Sequence, residues 1–226
     1  MKKHLAFTLA ETLIVMGVIG VVAALTLPNL NQSTGNKEKV AKVKKIYQNL
    51  TDAFGRAQAI YGPLSEWKVN NSNTYIGFGD RITEFMKLSK NCKTSTGCFK
   101  DNIQNCDMGT CNPDKDTSMY KFILADGTSI SLDGPNTDDN FDIYVDIDGP
   151  NKGANTAGKD IFLFREDNGN LFPYNHNDVA NNCIDDKGSQ CSGWIIQNEN
   201  MDYLKADRSG KCPNETILSA TNTSCN

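Results

Sequence analysis

Residues 1–30 read MKKHLAFTLAETLIVMGVIGVVAALTLPNL, and this stretch decides how the rest of the chain is to be understood. Two lysines, Lys2 and Lys3, precede a run that is apolar except for one acid, Glu11. A secretory signal would have the same basic start, but a small-residue cleavage motif would follow its apolar core, and none follows here. Residues 7–27 number 21. As a helix rising ~1.5 Å per residue they would span ~30 Å, the thickness of one bilayer core. The segment is therefore expected to remain as an anchor. Beyond Pro28 the chain turns polar and rich in Asn, Asp and Gly, so one end suits lipid or protein and the rest suits water.

A carboxylate inside an apolar span is costly and marks either a partner or a position at the membrane surface. A cut just before Phe7 would create an α-amino group one helical turn from Glu11, able to neutralise it within a subunit or on a neighbour. With a small residue at Ala6, Phe7 after it, and the string FTLAE running into an unbroken apolar stretch, the segment resembles the class III signal of type IV pilins and type II secretion pseudopilins. The resemblance implies that a prepilin peptidase cuts between Ala6 and Phe7, that Phe7 is then N-methylated, and that Glu11 serves filament assembly. Ala6 stands where the family usually has Gly, and Pro28 where many members carry a helix-kinking proline. Partners implied are copies of this chain and related pilins, the peptidase, an inner-membrane assembly platform, and the lipid bilayer before assembly. The implied location is the bacterial inner membrane as a single-pass precursor, then a periplasmic or cell-surface filament.

The next segment, KVAKVKKIYQNLTDAFGRAQAIY, places Val40, Val43, Tyr47, Leu50, Phe54, Ala57 and Tyr61 at alternating steps of three and four. That spacing forms one helical stripe, and most of the intervening Lys and Arg fall on other faces. The seam is too short for a convincing coiled coil, so packing on the body of the same subunit is expected. Gly62-Pro63 ends the pattern. The organisation read from the sequence is thus a leader (1–6), a transmembrane or filament-core helix (7–28), an amphipathic continuation (29–61) and a head (62–226). In the apolar half, Gly17 and Gly20 would let helices approach closely.

Within the head, residues 80–90 suggest a short amphipathic helix capped by Asp80, with Ile82, Phe85, Met86 and Leu88 inward. Strands are expected over 119–125, 128–132 and 142–146, and in a hairpin built from DIFLFRE and LFPY around the turn at 167–170. Trp194-Ile195-Ile196 is expected as a buried strand. The fold class is α+β: a long N-terminal helix, half membrane-embedded and half amphipathic, packed on a small antiparallel sheet of about four or five strands.

Eight cysteines, Cys92, Cys98, Cys106, Cys111, Cys183, Cys191, Cys212 and Cys225, all lie beyond the apolar segment. An even count without any CxxC favours disulfides outside the cytoplasm over a zinc ribbon or a redox site. Residues 91–116 have little apolar content and would need covalent staples, with Cys92 to Cys98 and Cys106 to Cys111 as the local pairings. A bond between Cys212 and Cys225 would close a terminal loop like that of many pilins.

Asp146, Asp148, Asn151 and Asp160 sit among Gly149, Gly153 and Gly158, a composition that could wrap Ca2+ with oxygen ligands. The loop resembles the calcium-binding loop of major type II secretion pseudopilins, although such turns also occur without metal. No enzyme is expected. The chain without its leader keeps one histidine, His176 in NHND, and no P-loop, G-x-S-x-G or H-E-x-x-H occurs. Asp138-Asp139 and Asp185-Asp186 read as solvated pairs. A net charge of −4 without a basic stripe leaves no clear nucleic-acid site. The chain is therefore expected to be a structural subunit of a type IV pilus-like or secretion pseudopilus filament. The alternatives are a membrane-tethered extracytoplasmic binding protein that does not polymerise and a surface hydrolase on the same anchor.

Overall fold

In the head, β-branched and aromatic residues gather in short runs between turns, and the period of two along a strand sends successive side chains to opposite sheet faces. The computed structural model describes residues 9–67, 74–106, 111–134, 141–167, 169–174, 179–186 and 188–225. It contains a helix α1 (Leu9–Tyr61), a helix α2 (Thr74–Thr83) and six strands. The strands are β1 (Leu88–Lys93), β2 (Tyr120–Leu124), β3 (Ser129–Asp133), β4 (Phe141–Asp146), β5 (Ile161–Asp167) and β6 (Asn170–Pro173). Helices α3 (Val179–Asp186) and α4 (Ser192–Asn198) follow. The strands form one antiparallel sheet in sequential order. The chain divides into two units, Met1–Glu38 and Lys39–Asn226.

In the second unit, one face of the sheet carries Phe122, Ile130, Leu132, Ile143, Val145, Phe162 and Phe164, all buried in the main core. The stripe of α1 joins them through Val40, Val43, Leu50, Phe54 and Ala57, with Ile46 and Ala53 also buried. Tyr47 stacks on Phe164, and its hydroxyl donates to the Leu171 carbonyl at 3.1 Å. Phe78 of α2 stacks on Phe141 at 4.1 Å between centroids and tilts against Phe54 and Trp67. Tyr61 closes the helix before Gly62, whose positive φ of 81° lets the chain turn away.

The opposite face is not left to solvent. Ile161, Leu163 and Tyr144 pack with Phe99, Ile103, Met119, Ala157 and the disulfide between Cys92 and Cys98 in a second core. The cysteine-rich segment is thus a lid over the sheet. The bonds Cys92–Cys98, Cys106–Cys111 and Cys212–Cys225 form as expected, and the remaining pair is Cys183–Cys191.

Three expectations are corrected. The helix placed at 80–90 lies earlier, over Thr74–Thr83, and Leu88 begins β1 instead. Asp80 is no cap: it accepts a hydrogen bond from the Tyr120 hydroxyl at 2.6 Å and pairs with Lys93. Because β1 is an edge strand with two register shifts and mostly exposed polar residues, it carries no alternating signal, and the sheet has six strands rather than four or five. Trp194-Ile195-Ile196 lies in α4, not in a strand. Three consecutive apolar residues cannot distinguish a buried helix from a strand, and here Glu199 ends the turn in the left-handed region.

Candidate functional site

The first unit, taken by itself, is helical from Leu9. Its large apolar side chains are exposed on every side: Leu9, Leu13, Ile14, Met16, Val18, Ile19, Val21 and Val22 among them. A Cβ added at Gly17 or Gly20 would meet nothing within 4 Å. Glu11, also exposed, lies in the first turn of the described helix. Thr12 donates to the Leu9 carbonyl at 2.9 Å. Ala6 and Phe7 lie outside the described residues, as do His176 and Asp138-Asp139. Asp185 and Asp186 belong to α3.

Among the described residues no helix is long and apolar enough to cross a membrane. The apolar side chains described here stop at residue 24, short of the ~20 consecutive residues a bilayer core takes. Phe7, Thr8 and the side chains of residues 25–27, which complete the bilayer-length stretch read from the sequence, lie outside that description. The backbone stays helical through Pro28.

The acidic loop is the connection from β4 to the adjacent antiparallel β5. Asp146 is buried, and its Oδ1 accepts the backbone N–H of Asp148 and of Gly149, each at 3.0 Å. Burial pushes its carboxyl up to about 7, the nearby Asp160 and Asp148 charges adding and the two N–H donors opposing. Asp160, fully buried, accepts the N–H of Asn155 at 2.9 Å and that of Thr156 at 2.6 Å. Asp148 reaches the other way, to Lys42 at 3.1 Å and Lys39 at 3.6 Å. Asn151 is exposed. Three of the four expected oxygen donors thus share one turn, but their oxygens take N–H and ammonium donors from the chain itself. Among the described residues no group of three or more His, Cys, Asp or Glu is placed to hold a metal ion.

Sequence reasoning missed the charged groups inside the second core. Lys121 is fully buried and donates to the carbonyls of Thr94, Asp114 and Asp116 at 3.3, 3.1 and 2.5 Å. Burial pushes its ammonium down, opposed by the Asp114 and Asp116 charges. Burial alone would raise the Asp114 carboxyl, but N–H donors from Gly97, Phe99 and Cys98, with Lys121, hold it below its ordinary range. These two residues tie the lid to β2. On the strand pattern Lys121 alternates with Tyr120 and Phe122, the signature of a solvent-facing position. Only the lid reverses that, and nothing in the strand's own pattern announces it.

An exposed apolar helical segment followed in sequence by an α+β head defines the general class. Comparison with known proteins is consistent with that class and more particular. No family model matches the chain, and no solved structure matches it. Among curated proteins the chain is 36% identical over 72 residues to the type II secretion system core protein G of Klebsiella pneumoniae. That stretch is 32% of this chain and 44% of the relative, so the chain spans less than half of the relative's length. The similarity supports the pilin and pseudopilin family to which the N-terminal residues pointed.

Proposed function

We propose that this chain is a structural subunit of a secretion pseudopilus, assembled through its N-terminal helix. The similarity to core protein G carries the reading and favours secretion over a surface pilus. In this reading, residues 7–28 anchor the precursor in the bacterial inner membrane with the head outside the cytoplasm. A prepilin peptidase cuts between Ala6 and Phe7, the new N-terminus is methylated, and the helix passes from lipid into the filament core with copies of itself and related pilins. The exposed large side chains between Leu9 and Val22 supply the packing surface. Glu11 meets the α-amino group of Phe7, a charge pair whose attraction strengthens once water is excluded. The assembly platform receives the subunit, and the head contributes structure rather than catalysis.

Mass spectrometry of the native N-terminus tests this directly. An N-methylated Phe7 is the expected result. An intact Met1 would overturn the processing step and favour a membrane-tethered binding protein.

A further inference from the structure

We infer that Lys39 and Lys42 of α1 take the place of a metal ion at the 146–160 loop, so that the loop is closed by the chain's own cations and folds without divalent ions. Lysines three apart on a helix share a face. From that face Lys42 Nζ lies 3.1 Å from Asp148 Oδ1 and Lys39 Nζ 3.6 Å from Asp148 Oδ2, so one carboxylate is held between two ammonium groups. Lys39 also donates to the Lys159 carbonyl at 3.0 Å, which ties the far end of the loop to the same helix. The Asp148 side chain is only 17% exposed, so this pair is better shielded than a surface ion pair.

The remaining acids are satisfied from within. Both oxygens of Asp160 and one of Asp146 accept backbone N–H groups. Those N–H dipoles point their positive ends at the oxygens a metal would need. A hard divalent ion takes six to eight oxygens at ~2.3–2.6 Å, and to use Asp148 it would have to displace both lysines. The loop is also crowded where two acids converge: a Cβ on Gly153 would lie 2.6 Å from Asp160 Oδ2 and 3.0 Å from Asp148 Oδ2. With Asp148 neutralised by α1, the convergence needs no further cation. This inference stands apart from the filament reading, because a pseudopilus subunit could close the loop either way.

The test is thermal unfolding of the full chain in mild detergent, followed by the emission of the buried Trp67 and Trp194, with millimolar calcium and then with chelator. The expected midpoints coincide. A saturable rise overturns the inference, since an ion bound to the native head alone at a hundredfold excess over its Kd would lift the midpoint by roughly 5–10 °C. A second arm compares K39Q/K42Q, Asp148→Asn and the triple variant. If the lysines act on Asp148, the triple variant is no less stable than the weaker parent, whereas additive losses refute the pairing. Should the lysine variant fail to fold, the calcium arm on the unmodified protein still decides.

Discussion

Replacing Glu166 by Gln should make the protein more stable at mildly alkaline pH, although the residue is buried and hydrogen-bonded. Glu166 is 1% exposed and sits on β5 opposite Phe141 and Leu171. One of its oxygens accepts the Gly169 N–H at 2.5 Å, at the turn whose carbonyl takes a hydrogen bond from Gln58 of α1 at 2.8 Å. Burial pushes its carboxyl from 4.5 up to about 7, with the Gly169 N–H opposing and the Asp167 charge adding. The folded protein therefore holds this proton more tightly than the unfolded chain does. The stability it contributes is complete below the unfolded value and is lost as pH rises through about 7. At about 1.4 kcal/mol per tenfold change in proton affinity, the loss is about 3 kcal/mol. Gln keeps an oxygen for Gly169 and cannot ionise, but its NH2 group needs a partner, which costs about 1 kcal/mol. The net gain above neutrality is then about 1–2 kcal/mol. Urea unfolding of both proteins in mild detergent, across mildly acidic to mildly alkaline pH, measures it. The wild-type midpoint should fall with rising pH more steeply than that of E166Q. Some slope should persist in the variant, because burial also holds Asp146 up at about 7 and Asp133 at about 6. Parallel curves, or a variant weaker than wild type at alkaline pH, would refute the reasoning.

Three further outcomes follow from particular contacts. Lys121→Ala strips the Thr94, Asp114 and Asp116 carbonyls of their donor and leaves the Asp114 charge with backbone N–H groups alone, so the urea midpoint should report a loss of about 3–5 kcal/mol. Phe78→Ala opens a cavity between Phe141, Phe54 and Trp67 and should cost about 3–5 kcal/mol, with Trp67 emission shifting toward that of a wetter site. Glu11→Ala should leave the unfolding midpoint of the head unchanged while abolishing cross-linking between subunits in membranes. Normal cross-linking would count against its pairing with Phe7.

How much of this was legible varies with how local the cause is. The α1 stripe was readable from its period of three to four, and β2 to β6 from short β-branched and aromatic runs set between turn residues. Val43, Leu50 and Ala57 are fully buried as the spacing requires, and the Asp-Gly turn after Ala125 joins β2 to β3. The edge strand β1 was not readable: a polar, bulged edge has neither a buried face nor a strict period. Of the candidate site, the sequence singles out Glu11 by its place in an apolar run and the acidic turn by composition, but not the partners of Asp148. Lys39 and Lys42 lie more than a hundred residues away in sequence, and in a helical pattern they look like any solvated lysines.

The larger omission is the second face of the sheet, and its cause is physical. A helix-covered sheet with one polar face is self-consistent as read: Lys121, Ser129, Ser131 and Asp146 alternate with core residues and look like a wet surface. All four are buried. The turn at 146–149 closes over Asp146 and Ser129, while Lys121 lies under a segment with few apolar residues, mainly Phe99, Ile103 and Met119, too few to hold a lid by the hydrophobic effect alone. Disulfides and a buried lysine supply the remainder, one by restricting the unfolded chain and the other by gathering backbone carbonyls. The cysteines were therefore the true sequence signal for a covered face. Covalent staples in a polar segment mark a place where polar chain must be held over something, and the sheet beneath is what required covering.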